Sequence, residues 1–283
     1  MTARIIDGKA IASEVRAEVA ERVAKLPSPP GLAVVRVGED PASAVYVGQK
    51  RKMAAEVGII SFDQDLSAAI SEIELLDHIR MLNENPLVHG ILVQLPLPDH
   101  IDAIEVQEAI SARKDVDGLH PENQGLVALG RPLFIPCTPA GVVEILDRSG
   151  IEVEGRRVVV IGRSALVGRP LSILLGLKAP GLNATVTLCH TGTKDIGAYT
   201  READIVVVAA GREKTLTADM VAPGSTVIDV GTNRNAEGKL VGDVDFPAVS
   251  EVAGAITPVP GGVGPMTVAM LLMNTMRAAE GFV

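Results

Sequence analysis

Four hydrophobic runs rich in β-branched residues, "RRVVVIG", "ATVTLCH", "ADIVVVAAG" and "STVIDVG", follow one another from residue 156 at helix- or loop-length spacing. Continuous β-branched runs of this kind suit strands covered on both faces rather than strands with one wet side. That combination predicts a doubly wound α/β fold built on a parallel sheet. Most other architectures would demand either alternating strands or long apolar helices.

The first half predicts the same class less cleanly. After "DGK", Ile11, Val15, Val19 and Val23 recur at helical spacing as far as "LPSPPG". There follow the strand "LAVVRVG", a helix carrying Tyr46 and Lys50, a short apolar segment from Ile59 to Phe62, a helix over 71–84, and the strand "HGILVQLPLP". The order α-β-α-β-α-β again implies a mostly parallel sheet. A chain of 283 residues exceeds the size at which one core grows efficiently, so two domains are expected. The Pro- and Gly-rich stretch "GRPLFIPCTPAG" marks the boundary, with a new helix starting at Pro139. This assigns 1–138 to one domain and 139–264 to the other, with the final helix, about 265–283, returning to the first. In "TPVPGGVGPMT", Pro258, Pro260 and Pro265 are expected to exclude regular helix, while Gly261, Gly262 and Gly264 let backbone approach a ligand.

A net charge of −9 without any Lys/Arg-rich tract argues against nucleic acid or an anionic membrane as partner. No stretch reaches the roughly 20 apolar residues of a membrane span, and no secretory leader is read at the N-terminus. Cys137 and Cys189 are too few for a disulfide framework and belong to no C-x-x-C cluster, which fits a reduced, cytoplasmic setting. The five histidines show no metal-ligand spacing, and no metal is expected.

"VVVIGRSALVGRP" is a strand, a glycine, a short polar loop and a helix, the arrangement that aims helix N–H groups at a phosphate. Counting from Gly162, Ser164 and Val167 stand where a G-x-G-x-x-G motif has its second and third glycines, with Gly168 displaced by one. The next strand ends "CHTGT", so Thr191 takes the place of the acidic residue that favours NAD. Arg163 and Ser164 offer a cation and a hydroxyl to a 2'-phosphate, which points to NADP.

Tyr46 and Lys50 stand at i and i+4 on one helix face. Taken alone, such a pair reads as a half-buried ring beside a solvated ammonium. Gln94, however, is a polar amide at the end of an apolar strand, where parallel sheets form their ligand crevice. Asp115 and Asp117 lie in the turn-forming "KDVDGLHP", able to cap backbone or accept hydrogen bonds from a ligand.

"IIDGKAIA", "VGEDPASAVYVGQKRKMAAEVGI", "VQLPLP", "KDVDG", "PCTPAG", "VVVIGRSALVGRP", "VIDVGTNR" and "TPVPGGVGPMT", in this order and over nearly the whole chain, closely resemble the bifunctional methylenetetrahydrofolate dehydrogenase/methenyltetrahydrofolate cyclohydrolase family. The resemblance implies an N-terminal α/β catalytic domain and a C-terminal Rossmann-like dinucleotide-binding domain, with folate in the cleft between them. It implies oxidation of 5,10-methylenetetrahydrofolate with NADP+, hydrolysis of the methenyl product to 10-formyltetrahydrofolate, and a homodimer. It also implies a place in one-carbon metabolism serving purine, methionine and histidine biosynthesis. By motif position, Lys50 is the central catalytic residue, Tyr46 lines the folate, Gln94 partners the lysine and Asp117 holds the pterin. Leu95 and the run Pro260, Gly261, Gly262, Val263 and Gly264 border the substrate. Gly162, Arg163, Ser164, Thr191 and Thr232 match cofactor-contacting positions, Thr232 replacing the Ile common in the family. The alternatives are another two-domain NADP-dependent dehydrogenase, acting on a hydroxy acid or shikimate-like substrate, and a family member that only binds NADP or folate.

Overall fold

The computed structural model describes residues 2–39 and 41–281, and of 41–46 it describes the backbone alone. The chain forms two compact units. One joins the residues up to Ser13 with Thr138–Thr267; the other joins Glu14–Cys137 with the segment from Val268 onward.

The sheet of the first unit has six strands in the order Arg4–Ile5, Ala255–Ile256, Thr226–Asp229, Ile205–Val208, Arg157–Ile161 and Thr185–Cys189. Every pairing is parallel. The all-apolar reading holds for the central strands, where Ile205–Val208 is buried throughout. Thr185–Cys189, at the sheet edge, is only partly covered. Register places Cys189, Ile161, Val208 and Asp229 in one row, so the loops that follow all leave the sheet along the same edge. Val159, Ile161, Val206, Val208, Val227 and Ile256 supply much of the core beneath that edge.

Residues 1–138 do not stay together. Arg4–Ile5 add a parallel strand beside Ala255–Ile256, and the N–H of Ala3 donates to the Ser250 carbonyl at 2.7 Å. Two residues carry no legible strand period, and their partner lies some 250 positions away, so the sequence alone does not mark this strand.

In the second unit, Gly31–Val37 pairs in parallel with Ile60–Ser61 and Gln64–Leu66 along one edge and with Gly90–Val93 along the other. Helix Glu72–Glu84 packs Leu75, Ile79 and Leu82 into this unit's core, and Ser71 and Glu74 close a reciprocal capping box at its start. The expected helix over 71–84 is thus found with Ser71 as its cap. Helix Ala103–Ala109 is the helix that "KDVDGLHP" was expected to follow, whereas helix Pro121–Ala128 was not foreseen, being too short for a clear period.

Two boundaries differ from expectation. The helix expected from Pro139 starts at Cys137, which puts Pro139 in the first turn. The last helix begins at Val263 and contains Pro265. In a first turn the N–H groups have no intrahelical acceptor, so a proline there removes nothing.

Candidate active site

Lys50 projects from helix Pro41–Glu56 toward the end of strand Gly90–Val93. The N–H of Gln94 donates to the Val35 carbonyl at 2.8 Å, which extends the ladder by one residue and fixes the backbone beneath the amide side chain. Gln94 Nε2 donates to the Leu95 carbonyl at 2.8 Å, so its Oε1 is the atom turned to Lys50, whose Nζ donates to it at 2.9 Å. Leu95 is followed by a cis peptide to Pro96. Asp117 enters from the loop before Gly118, and its carbonyl accepts from the Cys137 N–H at 3.3 Å. The side chain of Tyr46 lies outside the described residues.

The electrostatics of this cluster are unlike those of a surface ion pair. Burial pushes the Lys50 ammonium below its ordinary value; the Asp117 carboxylate, then Cys137, oppose this without reversing it. Burial likewise raises Asp117, against the pull of Lys50 and a hydrogen bond from the Cys137 thiol. Loss of hydration therefore exceeds the mutual attraction for both partners, and both are shifted toward their neutral forms. Cys137 is raised well above the usual thiol range, by burial first and by Asp117 next, so it is an inert thiol. An amine with an enlarged neutral fraction, held by a neutral amide, is suited to take and return protons.

The two aspartates of "KDVDG" divide their work. Asp115 is fully buried; Oδ1 accepts from Gln107 at 3.0 Å, and Oδ2 accepts from Asn123 Nδ2 and the His120 N–H, each at 2.8 Å. It builds the turn from which Asp117 projects. Behind Asp117, Asn274 Nδ2 donates to the carbonyls of Val116 and Ile135 at 2.9 and 3.1 Å. The one signal in the sequence is a polar amide inside the apolar run "VAMLLMNTM", and it does not say which carbonyls the amide meets.

The first unit carries the other candidate residues. Gly162 follows strand Arg157–Ile161 with φ of 120°, a conformation only glycine adopts readily, and a Cβ there would lie 2.0 Å from the Ala209 carbonyl oxygen. A Cβ on Gly168 would lie 1.9 Å from the Gly162 carbonyl oxygen, so Gly168 is the close-packing glycine of the turn, although it stands one place late in the motif. Ser164 Oγ accepts from the Val167 N–H at 3.2 Å, which leaves the hydroxyl hydrogen to donate elsewhere. Arg163, Ser164 and Thr191 are all exposed, on the loops that follow the paired strand ends Ile161 and Cys189. Thr232 is exposed as well, after strand Thr226–Asp229.

Pro260 to Gly264 also belong to this unit, with Pro260 preceded by a cis peptide and Val263 and Gly264 opening the last helix. Their backbone packs against the start of helix Gly8–Val23, where a Cβ on Gly8 would lie 2.0 Å from the Gly262 carbonyl oxygen. That contact accounts for the glycine of "DGK". Among the described residues there is no cluster of His, Cys, Asp and Glu that could hold a metal. His89, His120 and His190 instead accept backbone N–H groups through Nδ1.

A parallel sheet with a glycine turn between strand and helix, joined in one chain to a desolvated lysine site, defines a dinucleotide-dependent enzyme of two units. The chain belongs to the tetrahydrofolate dehydrogenase/cyclohydrolase family: its catalytic-domain model matches residues 6–117 and its NAD(P)-binding-domain model matches residues 136–282. The Bifunctional protein FolD of Polaromonas sp. strain JS666 is 56% identical over 283 residues, 99% of each chain. A crystal structure of the bifunctional FolD methylenetetrahydrofolate dehydrogenase/cyclohydrolase from Campylobacter jejuni is 47% identical and superposes with a TM-score of 0.95, covering 99% of this chain and 100% of that one. The Trypanosoma brucei dehydrogenase-cyclohydrolase, solved with NADP cofactor and inhibitor, is 40% identical with a TM-score of 0.93, covering 99% and 98%.

Proposed function

We propose that Lys50 carries the hydrolytic half, and the edge formed by Gly162, Arg163, Ser164 and Thr191 the cofactor-dependent half, of a two-step folate conversion. The enzyme oxidises 5,10-methylenetetrahydrofolate to the 5,10-methenyl cation and then hydrolyses the cation to 10-formyltetrahydrofolate. NADP+, when bound, accepts the hydride of the first step. The cradle suits it: Gly162 and Gly168 let strand, turn and helix pack without a Cβ between them, and no acidic side chain stands at Thr191 to repel a 2'-phosphate. Arg163 and Ser164 would take that phosphate.

In the second step water adds to an electrophilic carbon and a proton must leave it; the ring nitrogen that departs must then gain one. Lys50 serves both transfers if part of it is neutral. Its hydrogen bond to Gln94 Oε1 carries the argument, because a neutral amide orients the amine without adding a charge that would hold it protonated. Asp117 accepts hydrogen bonds from the pterin, and Tyr46, Leu95 and the Pro260–Gly264 run border the folate. Thr232 meets the nicotinamide side through its backbone. We further read the enzyme as a cytoplasmic homodimer whose product feeds purine, methionine and histidine synthesis. Support comes from the family, from two unpaired cysteines, and from the absence among the described residues of a helix long and apolar enough to cross a membrane.

The test is Lys50→Met. Decay of the methenyl chromophore should fall by about 10²- to 10⁴-fold, the usual contribution of a positioned acid–base group, while NADP+ binding persists. Unimpaired hydrolysis would defeat the assignment.

A further inference from the structure

Beneath the Thr232 turn lie two carboxylates that the two-step reaction does not use. Asp229 is 2% exposed and Asp243 fully buried. Asp229 Oδ1 accepts from the N–H groups of Gly231 and Asp243, both at 2.9 Å, and its Oδ2 accepts from the Val244 N–H at 3.0 Å. Asp243 Oδ2 accepts from the N–H groups of Ala210 and Gly211 at 2.6 and 2.8 Å, and its Oδ1 accepts from Asn233 Nδ2 at 2.8 Å. Both glycines that let these carboxylates approach are obligatory: a Cβ would lie 2.3 Å from Asp243 Oδ1 at Gly231 and 1.9 Å from Asp229 Oδ2 at Gly242.

These bonds form a chain along the loop edge of the sheet. Gly162, in the phosphate turn, packs on the Ala209 carbonyl; Ala210 and Gly211 are bound to Asp243; Asp243 holds Asn233, and Asp229 holds Gly231. Thr232, itself exposed, is therefore pinned on both sides. A buried carboxylate needs such donors, but a core position would satisfy it with any nearby amides. Here Ala210, Gly211 and Gly231 lie on the loops that leave adjacent parallel strands at their carboxyl ends, where a dinucleotide lies, and Asn233, Asp243 and Val244 belong to the hairpin that follows the second of them and its return.

We infer that Asp243, braced by Asp229, is a positioning residue that sets the Thr232 turn against the Gly162 turn and so aligns the hydride acceptor in the dehydrogenase step alone. The inference rests on the reading of the Thr232 turn as the nicotinamide side. Misplacement of a reacting group by about 1 Å can lower a rate about 100-fold.

The experiment compares Asp243→Asn and Asn233→Ala with the parent in two assays: NADPH formation from methylenetetrahydrofolate, and cofactor-free hydrolysis of methenyltetrahydrofolate. In Asp243→Asn the amide nitrogen must face a donor whichever way it turns, either Asn233 Nδ2 or the N–H groups of Ala210 and Gly211, so dehydrogenase kcat should fall about 10- to 100-fold. Asn233→Ala, which removes one donor to Asp243 and one to the Gly242 carbonyl but leaves both carboxylates, should lose a few-fold. Hydrolysis should stay within about 2-fold in both, and binding of 2',5'-ADP, which lacks the nicotinamide, should be unchanged. Dehydrogenase kcat within 2-fold of the parent in both variants would overturn the inference. So would parallel loss of both activities in Asn233→Ala, which would mark the network as general scaffolding. A parent lacking NADPH formation would instead defeat the underlying functional reading.

Discussion

Gln94→Glu tests the protonation state that the proposed hydrolysis requires. The substitution keeps side-chain length and places a carboxylate oxygen where Gln94 Oε1 now lies, 2.9 Å from Lys50 Nζ. At an effective dielectric of about 20, opposite charges at that separation attract by roughly 6 kcal/mol, a ceiling that solvent around a half-buried pair reduces. An opposite charge so close typically moves a pKa by about 1–3 units, here upward for Lys50, against the burial that now lowers it. Each unit removes about tenfold of the neutral amine at any pH below the parent value. On the acid limb hydrolysis should therefore fall about 10- to 1000-fold, and that limb of the pH–rate profile should move to higher pH by the same number of units. The assay is loss of methenyl absorbance in stopped flow across the pH range, without NADP+, with Lys50→Met as the baseline that has no lysine to titrate. A Gln94→Glu enzyme with parental rate and an unmoved acid limb would refute the neutral-lysine argument. A lowered rate with an unmoved limb would refute it equally, since the loss would then come from geometry rather than charge.

The remaining predictions concern the first unit. Gly168→Ala forces a methyl into the space 1.9 Å from the Gly162 carbonyl oxygen, at a cost of about 1–3 kcal/mol. Calorimetric titration should show NADP+ binding weakened by tenfold or more, with methenyl hydrolysis kept. Thr191→Asp introduces the charge that repels a 2'-phosphate, so the ratio of kcat/KM for NADP+ over NAD+ should drop by at least tenfold; an unchanged ratio would remove Thr191 from the specificity argument. Burial raises Asp229 from 3.8 to about 6, Asp243 nearby adding to this and the backbone N–H bonds opposing it. Because the folded state then holds the proton more tightly than the unfolded chain, stability falls as pH rises from about 4 to 6, by roughly 3 kcal/mol in all. Infrared difference spectra should show a protonated carboxyl band that disappears on raising the pH through about 6 and is missing in Asp229→Asn.

Much of this molecule was legible in one dimension. The β-branched runs announced parallel strands because covering both faces of a sheet leaves no room for alternation. The glycine after "VVVI" announced the turn from strand to helix, which passes at positive φ there, and the helix expected over 71–84 is found at Glu72–Glu84. Lys50, Gln94 and Asp117 could be named from their motifs, yet nothing local to "YVGQK" states that the lysine is desolvated. That follows from the strand end and the loop brought over it, 44 and 67 positions further on.

Tertiary structure alone decided the rest. The place of Arg4–Ile5 in the far sheet, the separate duties of Asp115 and Asp117, and the reach of Asp243 to loops 10 and 33 residues away depend on pairings across the chain. Local sequence encodes backbone preference and the burial of a face, because those arise between neighbours a few residues apart. Which buried carboxylate meets which amide is settled only when distant segments pack, for it is desolvation by the assembled core that makes each of those hydrogen bonds obligatory.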